Sequence, residues 1–175
     1  MKIVTIFAEK LYAFHYKGEA DNELDRLLSL WNDTLYLYQF VTQNKNDTPK
    51  NKSTRALVEQ IIENANEIDD TLIELTENKK RNLDEFFVAL DNKEYRLDVL
   101  LSKQKGKKSY LRIYALKIDT NCYVITGGAI KFTHLMEERP HTKQELSKSE
   151  QCRQFLRKND VIDFDSFYEF LNETK

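Results

Sequence analysis

Cysteine, proline and glycine are scarce in this 175-residue chain, with two, two and four copies. Cys122 and Cys152 stand apart and form no CxxC or Cys/His cluster, which excludes a recognisable zinc or dithiol motif. No His lies at a motif-like spacing from either, so both read as buried thiols rather than nucleophiles. Long apolar runs are also missing, and no window approaches the length of a membrane span. Ile3 to Phe7 gives way at once to Glu9 and Lys10, unlike the core of a signal peptide. The expectation is a cytoplasmic protein with no membrane partner, no metal and no cofactor. Because glycine and proline are rare, each one marks a place. The Gly127–Gly128 pair suggests a bulge or a close backbone approach. Pro49 divides two helical patterns and Pro140 precedes another.

What is present describes an ordinary soluble chain, 41% hydrophobic and 32% charged, long enough for a single domain over 1–175. The small net charge of −2 hides a sorting into blocks. Residues 1–92 carry 11 Lys and Arg against 17 Asp and Glu; residues 93–158 carry 15 against 7; residues 159–175 carry 1 against 5. A basic block of this kind either attracts phosphate-rich partners or pairs with its acidic flanks in the fold.

Periodicity supplies the elements. Residues 2–7 and 11–16 are β-prone and form one bent strand or a hairpin. Leu24, Leu27, Leu28, Trp31 and Leu35 recur at helical spacing, which predicts a helix over 22–42 with Asp21 as N-cap. A second apolar stripe, Leu57, Val58, Ile61, Ile62, Ala65, Ile68 and Leu72, predicts a helix over 53–78 packed against the first. Asn82 and Glu85 have capping-box spacing, which predicts a short helix burying Leu83, Phe86, Phe87 and Leu90. The lysine-rich segment 103–108 reads as a solvated loop, and the runs 110–118 and 122–133 read as a central β-hairpin turning at Asp119, Thr120 and Asn121. Thr142 and Glu145 fit a capping box for a helix opening at Pro140, and 164–171 reads as a last, aromatic-rich helix. Strands and helices segregate along the chain. The predicted fold class is α+β: an antiparallel sheet with the N-terminal helices packed on one face, followed by C-terminal helices.

The run YLRIYALKIDTNCYVITGGAIKFTHLMEERPHTKQEL, residues 110–146, resembles the RelE/ParE superfamily of bacterial toxins, and most nearly its HigB-like, phage-derived branch. Arg112, Ile113 and Tyr114 match the first strand motif, Gly128, Ala129, Ile130, Lys131 and Thr133 the second, and Pro140 the start of the helix that follows. The order of leading strand, helices and hairpin is also the family's. The chain departs from the pattern in having Phe132 where a second Lys stands, and in lacking the terminal Tyr or His. RelE-like members cut mRNA, mostly on the ribosome; ParE-like members poison gyrase; most are neutralised by a cognate antitoxin. The resemblance therefore implies a toxin of a type II toxin–antitoxin system whose partners are mRNA, the ribosome and an antitoxin.

That implied chemistry suits the residue set. Attack by an RNA 2′-OH builds negative charge on the scissile phosphate, and fixed cations stabilise it. Arg112 would clamp the phosphate, Lys131 would oppose it from the neighbouring strand, and His134 would serve as general acid or base. Lys103, Lys105, Lys107 and Lys108 would bind backbone phosphate without sequence preference. Each has a plainer reading: Arg112 pairs with a carboxylate of the acidic helices, Lys131 is an exposed strand residue, and His134 and His141 are cap or loop residues. The alternative function is a non-catalytic interaction protein of the same fold, its basic face masked by the acidic flanks or a partner.

Overall fold

The computed structural model describes residues 1–90, 101–133 and 139–174. Its centre is a six-stranded sheet in the order β1-β2-β6-β5-β4-β3. The strands are β1 (Lys2–Phe7), β2 (Leu11–His15), β3 (Phe87–Ala89), β4 (Ser102–Lys108), β5 (Leu111–Asp119) and β6 (Cys122–Ile130). The segments 2–7 and 11–16 resolve as a hairpin. The sheet is mixed rather than antiparallel: β2 runs parallel to β6, pairing Leu11–Ala13 with Tyr123–Ile125. A parallel neighbour needs a long crossover, and the helices between β2 and the later strands supply it.

The helices are α1 (Glu23–Trp31), α2 (Thr34–Gln43), α3 (Thr54–Glu77), α4 (Pro140–Lys158) and α5 (Phe164–Glu173). The two groups cover opposite faces of the sheet. Leu11, Ala13, Ile113, Ala115, Tyr123 and Ile125 join a core with α1, α2 and α3. Tyr12, Phe14, Leu116, Ile118, Cys122 and Val124 join a second with Cys152 and Leu156 of α4 and Phe167 of α5. Alternation of side chains along each strand feeds both cores, which is why all nine residues of β6 are buried.

Several boundaries differ from expectation for local chemical reasons. The predicted helix over 22–42 is two helices. The Asn32 amide turns back to the Leu28 carbonyl at 2.8 Å, and Asp33 caps a new start by accepting the Tyr36 N–H at 3.1 Å. Asn22, not Asp21, caps α1, accepting the N–H groups of Leu24 and Asp25. The helix expected after Asn82 is a single 3₁₀ turn, Leu83–Glu85, and the chain then enters β3. The Asn82–Glu85 capping box is present, but a capping box specifies a first turn and not its continuation. Phe87 instead stacks on Tyr123 at 4.6 Å.

α3 forms as its stripe predicts. Ser53 caps it through the Ala56 N–H, and Leu57, Val58, Ile61, Ala65, Ile68, Leu72 and Leu75 are buried. Each large apolar side chain of that row stabilises the fold by roughly 1.5–3 kcal/mol. α1 and α2 both pack on α3. The β5–β6 hairpin lies at the centre of the sheet and turns at Thr120 and Asn121, the latter with φ 58°. β6 ends at Ile130, so Lys131 to Thr133 lie just beyond it. No described helix is long and apolar enough to cross a membrane.

Candidate phosphate-binding face

The lysine-rich segment is not a loop. Ser102–Lys108 is a full strand, bonded to β3 on one side and β5 on the other. Its lysines at every second position form one face, while Ser102, Gln104 and Gly106 turn inward. The register sets Lys103 opposite Leu116, Lys105 opposite Tyr114 and Lys107 opposite Arg112, and Arg112 in turn opposite Ala129. Residues opposite each other across antiparallel strands share a face. Lys103, Lys105, Lys107 and Arg112 therefore stand on the side of the sheet that carries Leu116 and the C-terminal helices.

Their partners divide this set. The Lys103 ammonium lies 3.5 Å from Glu150 on α4. Lys108 points to the other face and meets Glu67 of α3 at 2.7 Å. Lys117, also on β5, meets Asp84 at 3.3 Å. Among the described residues, Lys105 and Lys107 make no ion pair. Arg112 is half-buried, and its Nη1 donates to the Ser109 and Leu111 carbonyls at 2.6 and 2.9 Å. No carboxylate faces it among the described residues. Burial alone pulls its pKa below the ordinary arginine value, with the Tyr114 hydroxyl opposing weakly. A guanidinium carries five donors and stays charged in proteins, so Arg112 keeps donors to offer an anion.

Lys131 donates its backbone N–H to the Tyr110 carbonyl at 2.7 Å, one step past the Leu111–Ile130 pair. Arg112, on β5, and Lys131, one residue past the end of β6, thus lie at the same end of the sheet. His134 lies outside the described residues. The expectation that Arg112 pairs with an acidic helix is not met, and the expectation of a basic loop at 103–108 is replaced by a basic strand face. Lysines at spacing two are compatible with a strand, but only pairing on both sides makes it one.

The other half of the hairpin is organised differently. β2 stops pairing at Ile125, which leaves the outer edge of β6 without a strand from Thr126 onward. Side chains complete it. The Tyr16 hydroxyl donates to the Thr126 carbonyl at 2.5 Å, Glu145 accepts the Gly128 N–H at 3.2 Å, and the His141 ring nitrogen meets the Ile130 carbonyl at 3.0 Å. Glu145 is thus not the capping-box residue that its spacing from Thr142 suggested. Pro140 opens α4, Arg139 stands before it with no side-chain cap, and Thr142 donates to the Arg139 carbonyl.

The paired glycines follow from this arrangement. A Cβ at Gly127 would lie 1.9 Å from a Glu145 carboxylate oxygen, and one at Gly128 would meet Leu27 and Trp31 at 2.8 and 3.0 Å. Both expectations for the pair are met: a bulge lies between the Tyr114–Gly127 and Ala115–Ile125 pairs, and a Cβ at Gly128 would come within 2.6 Å of the Arg112 carbonyl oxygen. Around Gly127, Glu23 is fully buried and ion-paired to Arg26 and Lys148, while Lys148 also lies 3.6 Å from Glu145. Burial lifts the Glu145 pKa; Lys148 pulls it down and Glu23 adds to the rise. Sequence reasoning gave Glu145 a capping role and passed over Glu23, since Lys148 links the two only across the fold. Cys122 and Cys152 are buried free thiols, each pushed up to about 12 by desolvation.

No group of three or more His, Cys, Asp and Glu among the described residues is arranged to hold a metal ion. No protein-family profile, curated protein or solved structure matches this chain.

Proposed function

We propose that the β4–β5 face binds the phosphate backbone of RNA, with Arg112 as the central clamp and Lys105 and Lys107 beside it. One observation carries this reading: the fold neutralises Lys103, Lys108 and Lys117 with carboxylates of its own but, among the described residues, leaves the half-buried Arg112 without one. A partly desolvated guanidinium gains more from a phosphate than a fully hydrated one, because the local dielectric is lower. Glu67 and Asp84 of the acidic N-terminal block pair with Lys108 and Lys117, as the masked-face alternative would have it, but among the described residues no such pairing reaches Arg112, Lys105 or Lys107.

Cleavage of message is the fuller form of the proposal, by a toxin of the RelE/HigB kind held in check by an antitoxin. It is supported by the resemblance of 110–146 and by the common end of the sheet shared by Arg112 and Lys131. In that reaction the 2′ oxygen bonds to phosphorus as the P–O5′ bond breaks, and the proton of the 2′-OH ends on the departing 5′ oxygen. Arg112 and Lys131 hold the phosphoryl oxygens while charge develops on them.

Two assays test the two layers. Fluorescence anisotropy with a labelled 20-mer RNA reads binding, with expected tight association that Arg112→Ala weakens at least tenfold. Primer extension on ribosome-bound message reads cleavage, which Arg112→Ala should abolish. Binding without cleavage by the wild-type protein would remove the nuclease and keep the RNA-binding module. Absence of binding would remove both.

A further inference from the structure

We infer that the outer face of α5, together with the β1–β2 turn, docks a basic peptide segment of a partner protein. Two adjoining cavities of about 280 and 380 Å³ share Glu9 and Phe164 as a common wall. Asp119 and the Thr120–Asn121 turn complete the first; Asp165, Tyr168 and Glu169 complete the second.

The inner face of α5 is satisfied. Phe167 is fully buried and sets its ring edge-on to Tyr12 at 5.1 Å. The outer face is not. Tyr168 is 52% exposed, and Ile162, just ahead of the helix, is 74% exposed. Phe164, half-buried against the second core, and the exposed Tyr168 are one helical turn apart, and so are Asp165 and Glu169, so an aromatic row runs alongside an acidic one. Glu9, in the β1–β2 turn with φ 67°, stands at the wall the two cavities share.

Charge identifies the occupant. Among the described residues, none of Glu9, Asp119, Asp165 and Glu169 makes an ion pair, whereas Glu23, Glu67, Asp84 and Glu150 all do. Lys10, which lines the first cavity, turns its ammonium to the Thr76 carbonyl at 2.6 Å and keeps its charge, so the two linings carry four carboxylates against one cation. The resulting excess of three negative charges repels nucleic acid and draws a cationic partner. The exposed Tyr168 ring in the second cavity favours a guanidinium or ammonium group, by about 0.5–1 kcal/mol at such a surface. Two cavities with one shared wall suit two basic side chains of a single segment better than one small ion. The groove lies at the 120–121 turn, the opposite end of β5 from Arg112, so it does not depend on the RNA reading.

The probe is a fluorescein-labelled decapeptide of alternating Arg and Ser, with an alternating Glu and Ser peptide as control, followed by anisotropy. Binding of the basic peptide alone is expected. Tyr168→Ala and the double variant Asp165→Asn/Glu169→Gln should each weaken it, the double at least tenfold, with thermal unfolding unchanged. Glu59→Gln/Glu63→Gln on α3 should leave it intact. In a ¹⁵N–¹H correlation spectrum the peptide should shift Glu9, Asn121 and the amides of 164–169. Equal losses in the α3 double variant, or shifts centred elsewhere, would mean general attraction to acid and would overturn the proposal, as would no binding by the wild type. Lys107→Ala should not alter peptide binding, which keeps this result separable from the RNA test.

Discussion

The two halves of the β5–β6 hairpin treat charge in opposite ways. Near Gly127, Glu23 and Glu145 are packed with Arg26 and Lys148 in a closed set, and each carboxylate has a cation or an N–H. On the neighbouring strands, Arg112, Lys105 and Lys107 stand together with no acid of the described chain against them. The first arrangement replaces a missing strand partner and holds α4 to β6. The second makes no ion pair among the described residues; the Arg112 guanidinium bonds only the carbonyls of Ser109 and Leu111. Charges that a fold needs are paired within it, and charges left over are available to something else.

The largest effect should come from breaking the closed set. Glu23→Ala strands two cations beside a buried backbone edge, and losing one partner of a buried pair costs about 3 kcal/mol or more. Arg26 and Lys148 are each about a quarter exposed, 28% and 23%, which holds the loss to the lower end of that range. Urea denaturation at neutral pH should give a lower midpoint with an unchanged slope. A midpoint within error of wild type would remove the contrast between the two regions.

The hairpin, the α3 stripe and the helix after Pro140 were legible because each rests on local periodicity or a local breaker. β4 was not, because Lys-Gln-Lys-Gly-Lys advertises solvation rather than a strand. Only pairing on both sides makes it one. The parallel pairing of β2 with β6 and the placement of α4 and α5 on the second face are long-range outcomes with no local signature. The candidate site inherits this. Arg112 was readable from its motif, but Lys105 and Lys107 join it only through the β4–β5 register. The link from Glu23 through Lys148 to Glu145 likewise spans distant parts of the chain.

The next effect in size should fall on the open cations. Arg112→Ala removes hydrogen bonds to a charged acceptor, about 1.5–3 kcal/mol in binding. RNA affinity should drop at least tenfold, while the urea midpoint moves far less than in Glu23→Ala. A variant that loses stability and binding together would place Arg112 with the closed set.

pH gives a smaller, signed test of the paired region. Burial raises the Glu145 pKa, so the folded state holds that proton more tightly than the unfolded chain. Its contribution is therefore fully present below the unfolded glutamate value, about 4.3, and is lost as pH rises through the higher folded value. Glu145→Gln cannot titrate, and its Oε1 can still accept the Gly128 N–H. The stability difference between variant and wild type should shift in the variant's favour as pH climbs from that value. A difference that stays flat with pH would mean that Lys148 fully offsets the burial.

The smallest expected effect is at Lys107, and it separates the regions most finely. Its side chain is exposed at the end of β4 and makes no ion pair among the described residues, so Lys107→Ala should change folding stability by no more than about 0.5 kcal/mol. In RNA binding it should act as one phosphate contact. Affinity should weaken modestly and to the same degree for unrelated sequences, and the slope of log affinity against log salt should become shallower by about 0.7. Lys108→Ala, one residue on, is the matched control, because its ammonium already meets Glu67 at 2.7 Å on the other face. That variant should leave the salt slope unchanged. Equal slopes for the two lysine variants would show that strand alternation does not decide which cations reach RNA, and the basic block would then act only through its net charge.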